Sequence, residues 1–376
     1  MDTTLYSGGA GIVLALLEAQ QHFRDDRYGD TALQAARELE AGVEHHQQWS
    51  LYSGLTGTAV ALQAVHERLG DEPSGAAARA ALDRVRAHLD GQRRGPMFEL
   101  LGGNAGIALG ALSVGDVELA LFAVTPYLSS ADPTPGGVNW AVRPGPARSH
   151  HMAHGTLGIA YALAAVGAAT GQHGLIELAL AGAADVAARN RSEPDGFLVP
   201  HSDPPHRPDL IERYSYGWCN GPAGDAQAFR LLAAVTEDSR WAAVADRCWQ
   251  TVTTCGLPQR IRPGFWDNSG RCCGTAGVLA LACDRAAEQG DDLEFAGVLV
   301  DDLAQRATVD GNGVRWSNLE HRATPSALEP RTGWAMGNAG IIRELLRFSR
   351  VSTRSSPDYA APWPAHLPAR PPMATA

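Results

Sequence analysis

Seven times along the chain a Gly-x-x-Gly opens a run of mostly apolar residues, with first glycines at Gly8, Gly54, Gly103, Gly155, Gly221, Gly274 and Gly337. Inside these runs the apolar positions recur at helical spacing, as with Ile159, Leu163 and Val166, and charges are few. Between them lie stretches with one polar face, such as 76–90 and 175–190, where Arg and Asp alternate with Leu, Val and Ala. The pattern predicts apolar inner helices alternating with amphipathic outer ones. Successive motifs are 46 to 66 residues apart, room for two helices and their connections. A helix apolar on most sides must be covered all round, so the hairpins are expected to close into one two-layered ring. The expected fold is therefore all-α, an α/α toroid of seven helical hairpins, with residues 1–350 as one domain. The first motif follows Met1 so closely that no outer helix fits ahead of it, and the first hairpin is expected to be incomplete. Residues 351–376 form a Pro-rich tail, expected to be mobile or laid over the surface. Strand signals are weak, with Gly264-Phe265-Trp266 expected to pair only locally.

Composition narrows the chemistry. The chain has 376 residues, 45% of them hydrophobic, which suffices for a large core. All 31 basic residues are Arg, which removes Schiff-base, Walker and kinase lysines together. A net charge of −10 disfavours binding to a phosphate backbone, so nucleic acid is not an expected partner. The N-terminus lacks the basic and apolar regions of a secretory signal, no run is long enough to span a bilayer, and a cytoplasmic location is expected. Six cysteines are too sparse for a disulfide framework, so their placement must decide between packing, metal binding and catalysis.

The repeat register supplies that placement. Immediately before the first glycine stand His154 in the fourth motif, Cys219-Asn220 in the fifth and Cys272-Cys273 in the sixth. If inner helices all start at one end of a toroid, the three cysteines converge, and three thiolates suit a tetrahedral Zn²⁺ with one open position. Buried cysteines that merely pack are the alternative. Cys248, Cys255 and Cys283 share no place in the repeat and are expected in the core. Of the three histidines in Ser149-His150-His151-Met152-Ala153-His154, only His154 is in register, a candidate general acid-base. His150 and His151 are expected in a loop or at the surface.

The motifs H-G-T-L-G from His154, W-C-N-G-P-A-G from Trp218, C-C-G-T-A-G from Cys272 and G-W-A-M-G-N-A-G from Gly333 resemble the lanthionine synthetase C-like family, the lanthipeptide cyclases, over residues 5–350. The resemblance implies a zinc enzyme that adds a peptide cysteine thiol to dehydroalanine or dehydrobutyrine, closing a (methyl)lanthionine thioether ring. It implies Cys219 and Cys272 as metal ligands, with Cys273 where His is usual but Cys occurs in a subgroup. His154 matches the active-site histidine, Trp218 the tryptophan beside the first ligand, and Glu99 a position where Asp is common. Ser215 stands where the family often has Arg, with Arg213 upstream as a possible replacement, and Asn220 stands where Tyr or His is common. Tyr214 and Tyr216 could donate to an enolate, and Asp267 could orient a ligand from a turn that presents Cys272. A standalone cyclase further implies a leader-bearing, dehydrated precursor peptide and a separate dehydratase or kinase/lyase partner.

Three other readings compete. Glutathione or another small thiol could be the nucleophile, in a pocket lined by Arg213, Arg262 or Arg271; a prenyltransferase-like site would mix Asp, Cys and His. A non-catalytic scaffold binding modified peptides would need no turnover. A glycoside hydrolase would need paired carboxylates, and only Glu99 stands in register.

Overall fold

The computed structural model describes residues 2–89, 97–192, 195–209, 211–259, 268–311, 313–319, 327–356, 358–361 and 363. Seven inner helices, α1 (Gly9–Phe23), α3 (Leu55–Leu69), α5 (Asn104–Ser113), α7 (Thr156–Thr170), α9 (Pro222–Thr236), α11 (Thr275–Gln289) and α13 (Asn338–Ser352), each follow one Gly-x-x-Gly start. Each packs on the next, and α13 packs on α1, so the inner layer is a closed ring. Six outer helices alternate with them: α2 (Asp26–Gly42), α4 (Glu72–His88), α6 (Val117–Ser129), α8 (His173–Ala187), α10 (Ser239–Thr254) and α12 (Glu294–Arg306). The α/α toroid is as expected. Each hairpin runs inner to outer, so the first is complete and it is the seventh that lacks an outer helix among the described residues. Among the described residues strands are minor: eight short ones form four two-stranded ladders, including β2 (Gly137–Asn139) and β3 (Arg148–Ser149).

The glycine register has a packing cause. In every motif the residue three before the first glycine is buried: Leu5, Leu51, Leu100, Met152, Trp218, Arg271 and Trp334. Its carbonyl oxygen lies where a Cβ on the motif's second glycine would sit, and its own Cβ crowds the second glycine of the following motif. Gly224, for example, is wedged between the Trp218 carbonyl and the Met152 Cβ, and Gly277 between the Arg271 carbonyl and the Trp218 Cβ. Any side chain there would push adjacent starts apart, which is why only glycine fits.

The residues two before each first glycine hydrogen-bond to one another around the ring. Tyr6 N–H donates to Tyr52 (2.8 Å), Tyr52 to Leu101 (3.4 Å), Ala153 to Cys219 (3.0 Å), Cys219 to Cys272 (3.1 Å), Cys272 to Ala335 (2.9 Å) and Ala335 to Tyr6 (2.9 Å). The circle opens between Leu101 and Ala153, because the Leu101 N–H is taken by the Glu99 carboxylate at 2.7 Å.

The tail departs from expectation. Tyr359, Ala360, Ala361 and Trp363 are buried. Trp363 stacks on Trp334 with ring centroids 4.5 Å apart and donates its indole N–H to the Tyr52 hydroxyl at 3.1 Å. Charged inner-helix residues receive this segment: Glu18 of α1 accepts the Ala360 N–H and pairs with Arg343 and Arg350 of α13, while Glu344 accepts the Tyr359 hydroxyl. After α13 the described residues turn inward, burying apolar area and satisfying those charges. Gly264-Phe265-Trp266 and residues 364–376 lie outside the described residues.

Candidate active site and metal centre

Cys219 and Cys272 occupy neighbouring rungs of the hydrogen-bonded circle, and Cys273 follows directly, so ring closure itself brings the three sulfurs together. Their Sγ atoms all lie within 4.8 Å of one another, with Cys219 and Cys273 3.2 Å apart. Two further donors reach them: the Tyr6 hydroxyl lies 3.6 Å from Cys272 Sγ and the Asn220 amide 3.5 Å from Cys219 Sγ. Without a cation only one thiol ionises readily. Hydrogen bonds from Cys219, Cys273 and Tyr6 hold the Cys272 pKa well below the ordinary thiol value, while Cys219, as donor to Cys272, and Cys273, as donor to Cys219 and Cys272, are pushed well above it. Three soft, clustered sulfurs that cannot all be ionised alone are a donor set matched to Zn²⁺. Cys248, Cys255 and Cys283 are buried and outside the cluster, as expected.

The cluster opens on a cavity of about 220 Å³ lined by Cys219, Cys273, Asn220, His154, Arg143, His201 and Tyr214, among others. His154, Asn220 and Cys273 are the residues just before the first glycine in three successive motifs, and all three line it. His154 keeps 31% of its side chain exposed, and its Nδ1 lies 3.5 Å from Glu99 Oε2. Burial opposes protonation of this imidazole, but the carboxylate and Cys272 outweigh it and raise the pKa above the ordinary value. Glu99 is fully buried behind His154, gripped by the Leu101 and Gly102 N–H groups at 2.7 and 2.8 Å, and is not among the cavity-lining residues. Its charge acts on the histidine from behind without a hydrogen bond to Nδ1, and it does not touch the cavity.

Other expected site residues lie elsewhere. Trp218 is buried in an aromatic cluster with Tyr52 and Trp334, its indole N–H donated to Gln227 at 2.9 Å. Arg213 is exposed, its guanidinium 5.6 Å from the Tyr214 ring centroid, and does not line the cavity. Arg271 is buried between Trp218 and Trp334 and paired with Glu344 at 2.7 Å. Tyr214 lines the cavity and Tyr216 is buried. The turn before Cys272 forms as expected from Asn268, whose side chain accepts the Gly270 N–H at 2.6 Å; Asp267 and Arg262 lie outside the described residues.

His150 and His151 lie in an irregular segment, as the loop expectation had it, but both are fully buried rather than at the surface. The start that precedes α7 folds under the ring, with the His150 backbone against Gly155 and His151 Nδ1 2.7 Å from the buried Asp225 carboxylate. Periodicity could not reveal this, because the segment is neither helix nor strand. Arg143 and His201 were missed for a related reason: they enter from loops between repeats, outside the register.

Burial drives His150 down to about 3, and neither ring nitrogen has a hydrogen-bond partner. The folded chain therefore holds it neutral, whereas the unfolded chain takes up a proton below about 6.5. The stability it contributes is present above that value and lost as pH falls toward the folded value, at a cost of about 2 kcal/mol by pH 5. Urea unfolding at pH 7 and pH 5 checks this. His150→Leu should flatten the pH dependence by that amount, and an unchanged slope would refute the assignment.

The chain matches the family described as lanthionine synthetase C-like protein over residues 1–204 and 206–300. It belongs to that family. No curated protein matches the sequence. Among solved structures, nisin cyclase superposes with a TM-score of 0.70 at 14% identity, covering 97% of this chain and 91% of the other. An unsaturated glucuronyl hydrolase from Bacillus sp. GL1, described as responsible for glycosaminoglycan degradation, superposes with a TM-score of 0.50 at 14% identity, covering 94% and 97%. At such identity these likenesses show a shared α/α toroid. Among the described residues no helix is long and apolar enough to cross a membrane.

Proposed function

We propose that this lanthionine synthetase C-like protein is a zinc-dependent cyclase that adds a peptide cysteine thiol to dehydroalanine or dehydrobutyrine, forming a (methyl)lanthionine ring. The observation that carries the reading is the cysteine cluster on the wall of a cavity that also holds a histidine backed by a buried carboxylate. Cys219, Cys272 and Cys273 would hold the metal, and zinc bound there supplies neutral-pH thiolate chemistry by lowering the pKa of a coordinated thiol. Sulfur attack forms the S–Cβ bond and moves the alkene pair toward the carbonyl. The α-carbon must then be protonated. His154 would carry that proton, because its raised pKa keeps a fraction charged near neutrality with the Glu99 carboxylate behind it. The substrate would be a dehydrated precursor peptide bearing a leader, made by a separate dehydratase or kinase/lyase.

Small-thiol addition fits the cavity less well. A tripeptide such as glutathione brings two carboxylates, and among the described residues Arg143 is the only arginine lining the cavity. A scaffold role does not call for a histidine backed by a buried carboxylate. Incubation of the zinc-loaded chain with a peptide carrying one cysteine and one dehydroalanine, followed by trapping of free thiol, tests the reading. Thiol should disappear with wild type, and His154→Ala should lower kcat by about 10²–10⁴-fold with metal content unchanged. No thiol loss with wild type would overturn the cyclase assignment.

A further inference from the structure

One side chain on the cavity wall carries a permanent positive charge without an ion pair, although the buried Glu99 carboxylate is near enough to act on it through charge. Arg143 stands in the segment between β2 and β3, and among the described residues no Asp or Glu lies within ion-pair distance of it. Its Nη2 donates to Ser149 Oγ at 3.0 Å, which fixes the guanidinium plane, while Nε is buried with no hydrogen-bond partner. A buried, unused N–H on a cation is costly unless an anionic group visits it.

Of the other polar groups on the wall, Glu212 is a carboxylate that makes no ion pair with Arg143, and the rest are engaged or uncharged. The Asn220 amide is directed to Cys219 Sγ at 3.5 Å, and the Tyr214 ring lies under Arg213. His201 is neutral, because burial and the neighbouring His151, His154 and Arg143 drive its pKa down to about 2. The wall shared by Cys219, Cys273 and His154 thus presents a single fixed cation, Arg143.

We infer that Arg143 is the oxyanion-binding residue of this cavity, donating to the carbonyl oxygen of the dehydroamino acid as that oxygen becomes an enolate. The inference rests on the cyclase reading above. As the peptide sulfur bonds to the β-carbon, the alkene pair shifts to the Cα–C bond and the carbonyl pair moves onto oxygen, where Arg143 meets it. When the α-carbon takes its proton the pair returns, the carbonyl is restored, and the substrate has gained the elements of the thiol and nothing else. A guanidinium suits the task because it stays charged at every working pH and offers several donors in one plane.

The test uses the zinc-loaded full chain and the same cysteine-and-dehydroalanine peptide. Arg143→Met should lower kcat by about 10²–10³-fold with KM changed far less, as for loss of one oxyanion donor. Added guanidinium ion should restore part of the rate, and Arg143→Lys should fall between wild type and Arg143→Met. Zinc content and melting temperature are read alongside. An undiminished kcat in Arg143→Met overturns the inference. So does a loss that guanidinium does not rescue and that accompanies a lowered melting temperature, because Arg143 would then only brace the segment that ends at Ser149. If wild type fails to consume thiol, the cyclase reading falls first, and labelling of Arg143 by phenylglyoxal with and without N-acetyl-dehydroalanine still reads whether this arginine meets the substrate's oxygen. Protection supports an anion-binding Arg143; no protection removes it.

Discussion

Cys272→Ala should take the zinc content of the purified chain from about one per molecule to near none and abolish ring closure. Cys272 is the focus of the cluster: Cys219, Cys273 and the Tyr6 hydroxyl all approach its sulfur. Its removal leaves two of the three clustered sulfurs, too few for a tetrahedral site held by the protein with one open position. Changes beyond the ligands of a zinc site cost about 10–100-fold in affinity, and loss of a ligand from a three-protein-ligand site should exceed that. The apparent affinity of the intact site should also fall steeply with acid, because Cys219 and Cys273 must release protons as metal binds. Elemental analysis of wild type, Cys272→Ala and Cys248→Ala decides the matter. Cys248 is equally buried but lies on α10 outside the cluster, so its variant should keep zinc. Retention of zinc by Cys272→Ala would remove the three-thiolate centre and leave the histidine without a partner reaction.

The convergence of Cys219, Cys272 and Cys273 was legible because it follows from the repeat. Equal offsets from successive glycines become neighbouring rungs of one hydrogen-bonded circle, so a sequence register becomes a spatial one. His154 was located by the same logic. Glu99 illustrates a partial success: its position before Gly103 placed it near His154, but only the structure shows two backbone N–H groups turning it away from the cavity. Arg143, His201, His150 and His151 stand in irregular segments, where neither period nor offset constrains burial. The seventh hairpin eluded the sequence because helix patterning says nothing about which end of a ring goes uncovered. A Pro-rich stretch excludes a helix interior without excluding burial, and the tail uses that freedom.

Trp363→Ala should destabilise the toroid by about 3–5 kcal/mol, the range for truncating a buried tryptophan. Trp363 is 2% exposed, lies against Trp334, has the Arg343 guanidinium 5.0 Å from its centroid, and holds the Tyr52 hydroxyl. At roughly 2.1 cal/mol/K per residue the unfolding entropy of a chain this long is about 0.8 kcal/mol/K, so the melting temperature should fall by about 4–6 °C. Ending the chain after Ser355 should cost more, because several partnerships of buried charges go together with Trp363. Glu344 loses the Tyr359 hydroxyl at 2.7 Å, Glu18 loses the Ala360 N–H at 3.1 Å, and Arg343 loses the Ala361 carbonyl. Hydrogen bonds to buried charges are worth about 1.5–3 kcal/mol each, which brings the total within reach of a domain's entire stability of about 5–15 kcal/mol. The truncated chain should therefore be largely unfolded or insoluble at 25 °C, while Trp363→Ala folds and retains its zinc, since Trp363 touches none of the three cysteines. Thermal melts of both variants, read with zinc content, separate a loss of core from a loss of the metal centre. A Trp363→Ala melting temperature within about 1 °C of wild type would mean that the segment after α13 rests on the toroid without holding it together.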